Sequence, residues 1–150
     1  MSGVRFGHVN LVAADWRRLA RFYQEVFGCV PTGPERDLHG DALERGTALK
    51  GARLRGAHLR LPGHGENGPT LEIFSYDENA PGLPATPNRV GFGHIAFAVP
   101  DVEAARQAVL AGGGSPHGEV VTTAAGARRV TWAYMRDPEG NLVELQAWDA

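Results

Sequence analysis

One cysteine, Cys29, stands among 150 residues. An intrachain disulfide is therefore impossible, a reducing cytoplasm is the expected compartment, and the thiol reads as buried and inert. No apolar run approaches the ~20 residues that a membrane-spanning helix needs. The start, Met1-Ser2-Gly3-Val4-Arg5, lacks the charged and apolar regions of a signal peptide. Charge of one sign is also missing: fifteen basic against seventeen acidic side chains leave a net charge of -2. With no run of like charges, nothing draws the surface toward nucleic acid or a membrane. What the chain does have is 43% hydrophobic residues, enough for one ordinary core, so residues 1–150 read as a single domain.

Inside that domain the sequence repeats itself. Phe6-Gly7-His8-Val9 is echoed by Phe92-Gly93-His94-Ile95, and Leu71-Glu72-Ile73 by Val143-Glu144-Leu145. The first copy opens as a strand over residues 4–12. Then comes a helical period in which Trp16, Leu19, Ala20, Tyr23, Val26 and Phe27 form an apolar stripe, with Asp15 as N-cap and Gly28 as stop. The second copy repeats this order: a strand through Val99, an Asp101 cap, a helix bearing Val102, Ala105, Val109 and Leu110, and then three glycines.

Further strands are expected near 29–35, 52–61 and 69–77, and near 118–123, 129–136 and 142–148. Each module thus reads β-α-β-β-β, the first over about 1–78 and the second over about 90–150, joined by a proline-rich linker at about 78–89. The fold class is α+β with two tandem modules. The His-to-Glu spacing is longer in the first module by about fourteen residues, a length compatible with a functional loop. They are placed in an insert from Pro31 to Gly51, with a short helix over Asp41 to Leu49, and read as either a lid or an idle surface loop.

Strand alternation tests whether the repeated polar residues share a face. Val9, Leu11, Ile73, Ile95, Phe97, Val143 and Leu145 take one parity, and His8, Glu72, His94 and Glu144 the other. The apolar set belongs against the helices, and the polar set then lines a cavity of curved sheets. A lone strand histidine is more often structural than a ligand. Four polar residues at equivalent inward positions are different, because an unpaired buried carboxylate costs several kcal/mol and needs a cation, a proton or an arginine close by, and a divalent ion satisfies both glutamates together. His8, Glu72, His94 and Glu144 are therefore candidate ligands of one divalent metal. Zn, Ni, Co, Mn and Fe(II) all suit imidazole and carboxylate, as a catalytic or a structural ion.

Three segments carry a family resemblance over nearly the whole chain: Arg21-Phe22-Tyr23-Gln24-Glu25-Val26-Phe27-Gly28; Gly93-His94-Ile95-Ala96-Phe97-Ala98-Val99 with Asp101; and Asp137-Pro138-Glu139-Gly140-Asn141-Leu142-Val143-Glu144-Leu145. They resemble the vicinal oxygen chelate superfamily, which holds glyoxalase I, methylmalonyl-CoA epimerase, extradiol dioxygenases and the fosfomycin and bleomycin resistance proteins. The resemblance implies paired β-α-β-β-β modules making a metal-binding cup, a homodimer and a small-molecule substrate. The His, Glu, His, Glu pattern at His8, Glu72, His94 and Glu144 is similar to that of glyoxalase I, which favours Zn or Ni. It implies an isomerase or lyase that stabilises an enediolate by chelating adjacent oxygens, with Glu144 as first choice of catalytic base and Glu72 as second.

The chain departs from the named branches at specific places. Val12 and Tyr76 stand where bacterial glyoxalase I has the arginine and asparagine that hold glutathione. Asp137-Pro138-Glu139 replaces the His-Pro-Lys of the epimerase. An extradiol dioxygenase, the first alternative, shares Tyr134, Asp137, Pro138 and Gly140 but needs a base histidine where Ala125, Gly126 and Ala127 stand. The second alternative is a metal-free drug-binding protein, for which Trp132 and Trp148 are stacking candidates while Trp16 suits core packing. His64 and His117 read as solvated, His58 as facing either cavity or solvent, and Arg36 and Arg129 as surface residues with some capacity for anions.

Overall fold

The computed structural model describes residues 3–149, divided into two compact units, residues 1–81 and 82–150. In the first unit, strand β1 (His8–Val12) leads to helix α1 (Trp16–Phe27), strand β2 (Val30–His39), the short helix α2 (Asp41–Thr47), and strands β3 (Arg53–Arg60) and β4 (Thr70–Tyr76). In the second, β5 (Ile95–Ala98) leads to α3 (Val102–Ala111), β6 (Ser115–Ala125), β7 (Arg128–Arg136) and β8 (Leu142–Trp148). Each unit has one four-stranded sheet, ordered β1-β4-β3-β2 and β5-β8-β7-β6. In both, the first strand runs parallel to the last and the remaining pairs are antiparallel. This is the β-α-β-β-β order read from the repeat, carried out twice.

The helices begin where the aspartates put them. Asp15 Oδ1 accepts from the Arg18 backbone N–H at 3.1 Å and Asp101 Oδ1 from that of Ala104 at 3.0 Å, satisfying donors that a helix start leaves orphaned. Gly28 ends α1 in the left-handed region at φ 68°, where its N–H reaches the Gln24 carbonyl and a side chain would be strained. Helix α1 packs on β3 and β4, and α3 on β6, β7 and β8. In the first unit Leu19 and Tyr23 of the helix and Leu59, Leu71 and Ile73 of the sheet are fully buried. Val109, Val143 and Leu145 are their counterparts in the second.

The apolar stripe of α1 is wider than its spacing indicated. Phe22, outside the stripe, is only 2% exposed, because its ring meets those of Tyr23 and Phe27 edge-on at 5.2 and 5.8 Å. In α3 the stripe is narrower, with Val102 and Val109 buried and Leu110 exposed. Cys29 is buried, which pushes its thiol up to about 11, in keeping with an inert residue.

The insert from Pro31 to Gly51 is not a free loop. Its first part belongs to β2, which runs to His39 and pairs with β3 from Arg36 opposite Gly56 to His39 opposite Arg53, and the helix after it stops at Thr47 rather than Leu49. Asp37 takes a two-pronged contact from Arg53 across this pair at 2.8 and 2.7 Å, and Glu35 accepts from Arg17 of α1 at 2.7 Å. Pro31 and Pro34 resemble loop punctuation, yet β2 is a sheet edge, where a missing N–H is tolerated. The same device recurs in β6, which is longer than expected for the same reason. Val30-Pro31-Thr32-Gly33 is matched by Ser115-Pro116-His117-Gly118, each with a positive-φ glycine (70° and 79°) beside a break in register. This third echo is visible in the sequence and escaped the repeat analysis.

Two outcomes test this packing. Leu71→Ala, at a site with no exposed surface, should cost about 2–5 kcal/mol in urea unfolding. Cys29 should react with a thiol reagent at pH 8 only after the chain is denatured.

Candidate metal-binding half-sites

In the first unit the central strand β4 carries the glutamate. Glu72 lies between Asn10 of β1 and His58 of β3 in register, so these side chains share the face opposite the helix-packed Leu71 and Ile73. Its carboxylate is only 14% exposed. His58 Nε2 lies 3.0 Å from Oε1, and His8 Nε2 lies 3.5 Å from Oε2. Glu72 thus turns one oxygen to each histidine. His58 also has its Nδ1 3.3 Å from the Thr70 hydroxyl and its ring edge-on to Phe74 at 5.8 Å. Burial pushes the His58 imidazole below its ordinary range, opposed by the charge of Glu72 and assisted by Arg36 and His8.

The second unit repeats the arrangement with different neighbours. Glu144 lies between Ala96 of β5 and Tyr134 of β7, its side chain is 18% exposed, and His94 Nε2 is 2.9 Å from Oε2. Tyr134 occupies the register place that His58 takes in the first unit. Its ring lies 5.0 Å from that of His94 and 5.3 Å from that of Trp132. Burial, with the charge of Glu144 behind it, pushes the Tyr134 hydroxyl up, so it remains a neutral donor at physiological pH.

The turn between β7 and β8 explains the Asp-Pro-x-Gly motif. Asp137 is 3% exposed. Its Oδ1 accepts from the backbone N–H groups of Glu139 and Asn141, both at 2.9 Å, and its Oδ2 from the Asn141 side-chain amide at 2.9 Å. The motif locks the turn that sets the register of β8, and through it the place of Glu144.

Sequence reasoning left several residues undecided or misplaced. His58 faces the Glu72 side, and its even spacing from Arg60 carried that information only once the β3–β4 register was known. His117 is not a solvated loop residue: it pairs with Tyr134 on β6, is half-buried, and receives a hydrogen bond at Nδ1 from Arg136 at 3.2 Å. Trp16 is buried under the Arg17 guanidinium, and Trp148 is exposed beneath that of Arg128. His64, Arg36 and Arg129 are exposed.

Among the described residues no three His, Cys, Asp or Glu side chains form a metal-holding group; the first unit sets His8 and His58 against Glu72, and the second sets His94 against Glu144. The donor chemistry of the pairs fits a divalent ion. Both carboxylates are mostly buried, and among the described residues neither has a lysine or arginine within ion-pair distance. Among the described residues no helix is long and apolar enough to cross a membrane.

Residues 5–145 match the family model of the Glyoxalase/Bleomycin resistance protein/Dioxygenase superfamily. The chain belongs to that superfamily. Its structure is similar to that of a glyoxalase family protein from Bacillus cereus, with a TM-score of 0.83 and 21% identity over 100% of this chain and 99% of that one. A glyoxalase family protein from Enterococcus faecalis aligns with a TM-score of 0.62 and 23% identity over 97% and 99%. A fosfomycin resistance protein from Listeria monocytogenes, solved with Mn(II) and sulfate, aligns with a TM-score of 0.52 and 17% identity over 98% and 93%. At these identities the likeness shows the glyoxalase-like fold alone. No curated protein matches the chain.

Asp137→Ala should leave buried donors unsatisfied and destabilise the fold by roughly 1–3 kcal/mol, read as a lower urea midpoint.

Proposed function

We propose that the protein is a metal-dependent isomerase or lyase of the glyoxalase type, acting on a small substrate that presents two adjacent oxygens. The observation that carries the reading is the pair of mostly buried glutamates, each faced by imidazole and, among the described residues, by no lysine or arginine within ion-pair distance. His8, Glu72, His94 and Glu144 would hold the ion, and Zn or Ni suits the set, as do Co, Mn and Fe(II). When bound, the ion would supply positive charge that lowers the barrier to removing a proton beside a carbonyl.

The chain's own contribution is proton handling. Glu144 is the preferred base: it sits centrally in its sheet with an apolar Ala96 on one side and the ring of Tyr134 on the other. This setting puts a carboxylate beside an alanine and an aromatic ring, where it could take a proton from carbon. Glu72 is tied to His58 through Oε1, which fits a role in holding rather than in moving a proton. Val12 and Tyr76 offer no charged pair for a glutathione carboxylate, so the substrate is sought among other α-oxoaldehyde adducts, α-hydroxyketones and thioesters. A second copy of the chain is the expected partner and the cytoplasm the expected compartment, both on the strength of the family alone.

The test is solvent proton exchange. With a substrate of this class, the metal-loaded protein should catalyse deuterium incorporation at the carbon beside the carbonyl, followed by NMR. Glu144→Gln should lower the rate by roughly 10²–10⁴-fold with the unfolding midpoint unchanged. Exchange at the parental rate in Glu144→Gln would remove this residue as the base, and no exchange across the panel would remove the isomerase reading.

A further inference from the structure

We propose that His58 is a positioning residue, which holds Glu72 through a hydrogen bond from Nε2–H to Oε1 and so presents Oε2, alongside His8 Nε2, as the donor pair of the first half-site. The inference rests on the metal reading above and concerns a residue that the repeat does not single out.

The geometry makes the assignment. A neutral imidazole has one donor and one acceptor nitrogen. His58 Nε2 faces a carboxylate oxygen at 3.0 Å, a partner that can only accept when ionised, so Nε2 carries the hydrogen. Nδ1 is then the acceptor, and its partner at 3.3 Å is the Thr70 hydroxyl, which can donate. Both ring nitrogens are thus used inside the sheet, and the ring is pinned edge-on against Phe74 at 5.8 Å. Gly56, the next residue on that face of β3, leaves the room this needs: a Cβ there would run into the Phe74 ring and the Ile73 carbonyl. With Nε2–H committed to Glu72, His58 supplies no lone pair to an ion, whereas His8 Nε2, at 3.5 Å from Oε2, lies beside the other oxygen.

The register shows why this matters for one glutamate and not the other. His58 pairs with Glu72 as Tyr134 pairs with Glu144, so the two carboxylates have equivalent backbone places and different companions. A carboxylate fixed by a neighbouring N–H is a rigid donor, and removal of such an outer partner commonly weakens metal affinity tenfold to a hundredfold. Glu72 thus has in His58 a second imidazole that Glu144, with His94 alone, does not have among the described residues.

The experiment compares His58→Leu, which keeps bulk without a donor, with His58→Gln, which keeps a donor, by Zn(II) competition against a chromophoric chelator and by the visible spectrum of the Co(II) form. His58→Leu should bind Zn(II) roughly tenfold to a hundredfold more weakly and show an altered Co(II) spectrum, while His58→Gln recovers most of the affinity. Nitrogen NMR of the metal-free parent should report the Nε2–H tautomer, which reads the hydrogen bond without any metal. Parental affinity in His58→Leu, equal loss in both variants, or an Nδ1–H tautomer overturns the positioning role while leaving the metal reading intact. A parent that takes up no metal overturns both.

Discussion

The proposed site hangs, in each unit, on a carboxylate at the centre of a sheet. In each unit the last strand is flanked by the first, in parallel, and by its antiparallel neighbour, and the glutamate sits in the middle of that strand with apolar residues on either side in sequence. Alternation sends Leu71 and Ile73, or Val143 and Leu145, into the helix-packed core and fixes the glutamate on the opposite face. A one-residue slip would exchange the two sets, so burial of the core enforces the direction of the carboxylate. The stability of the fold and the aim of the site are the same constraint.

Supporting features guard that register from several directions. Asp15 and Asp101 start the helices that cover the apolar face, and Asp137 locks the turn into β8. The Pro-x-Gly irregularities in β2 and β6 bend the edge strands at matching places. None of these residues touches the carboxylates, yet each sets where a strand begins or how it runs. The segment from Asp137 to Glu144 joins a structural turn to a candidate ligand.

Much of this was legible in the sequence because duplication lets each half check the other. The two helix caps, the order of elements and the parity of the four polar residues all followed from aligning residues 6–9 with 92–95 and 71–73 with 143–145. The misreadings have physical causes. Pro116 suggests a loop, but an edge strand tolerates it, so β6 starts earlier than expected, while β2 runs on to His39 through charged residues that read as an insert. Phe22 is buried by an aromatic cluster rather than by helical spacing. His58 and His117 lie on long-range strand pairs, and the face of such a residue depends on a register that local sequence does not encode.

The proposed function requires His8, Glu72, His94 and Glu144 to serve as ligands of a divalent ion. Metal content per chain tests it most directly, measured for the parent, His8→Ala and Glu144→Ala after loading with Zn(II). The account predicts about one ion per parent chain, with strong loss in both variants, since a structural metal site needs its full donor set. Two ions per chain, or one ion retained after either substitution, would contradict it.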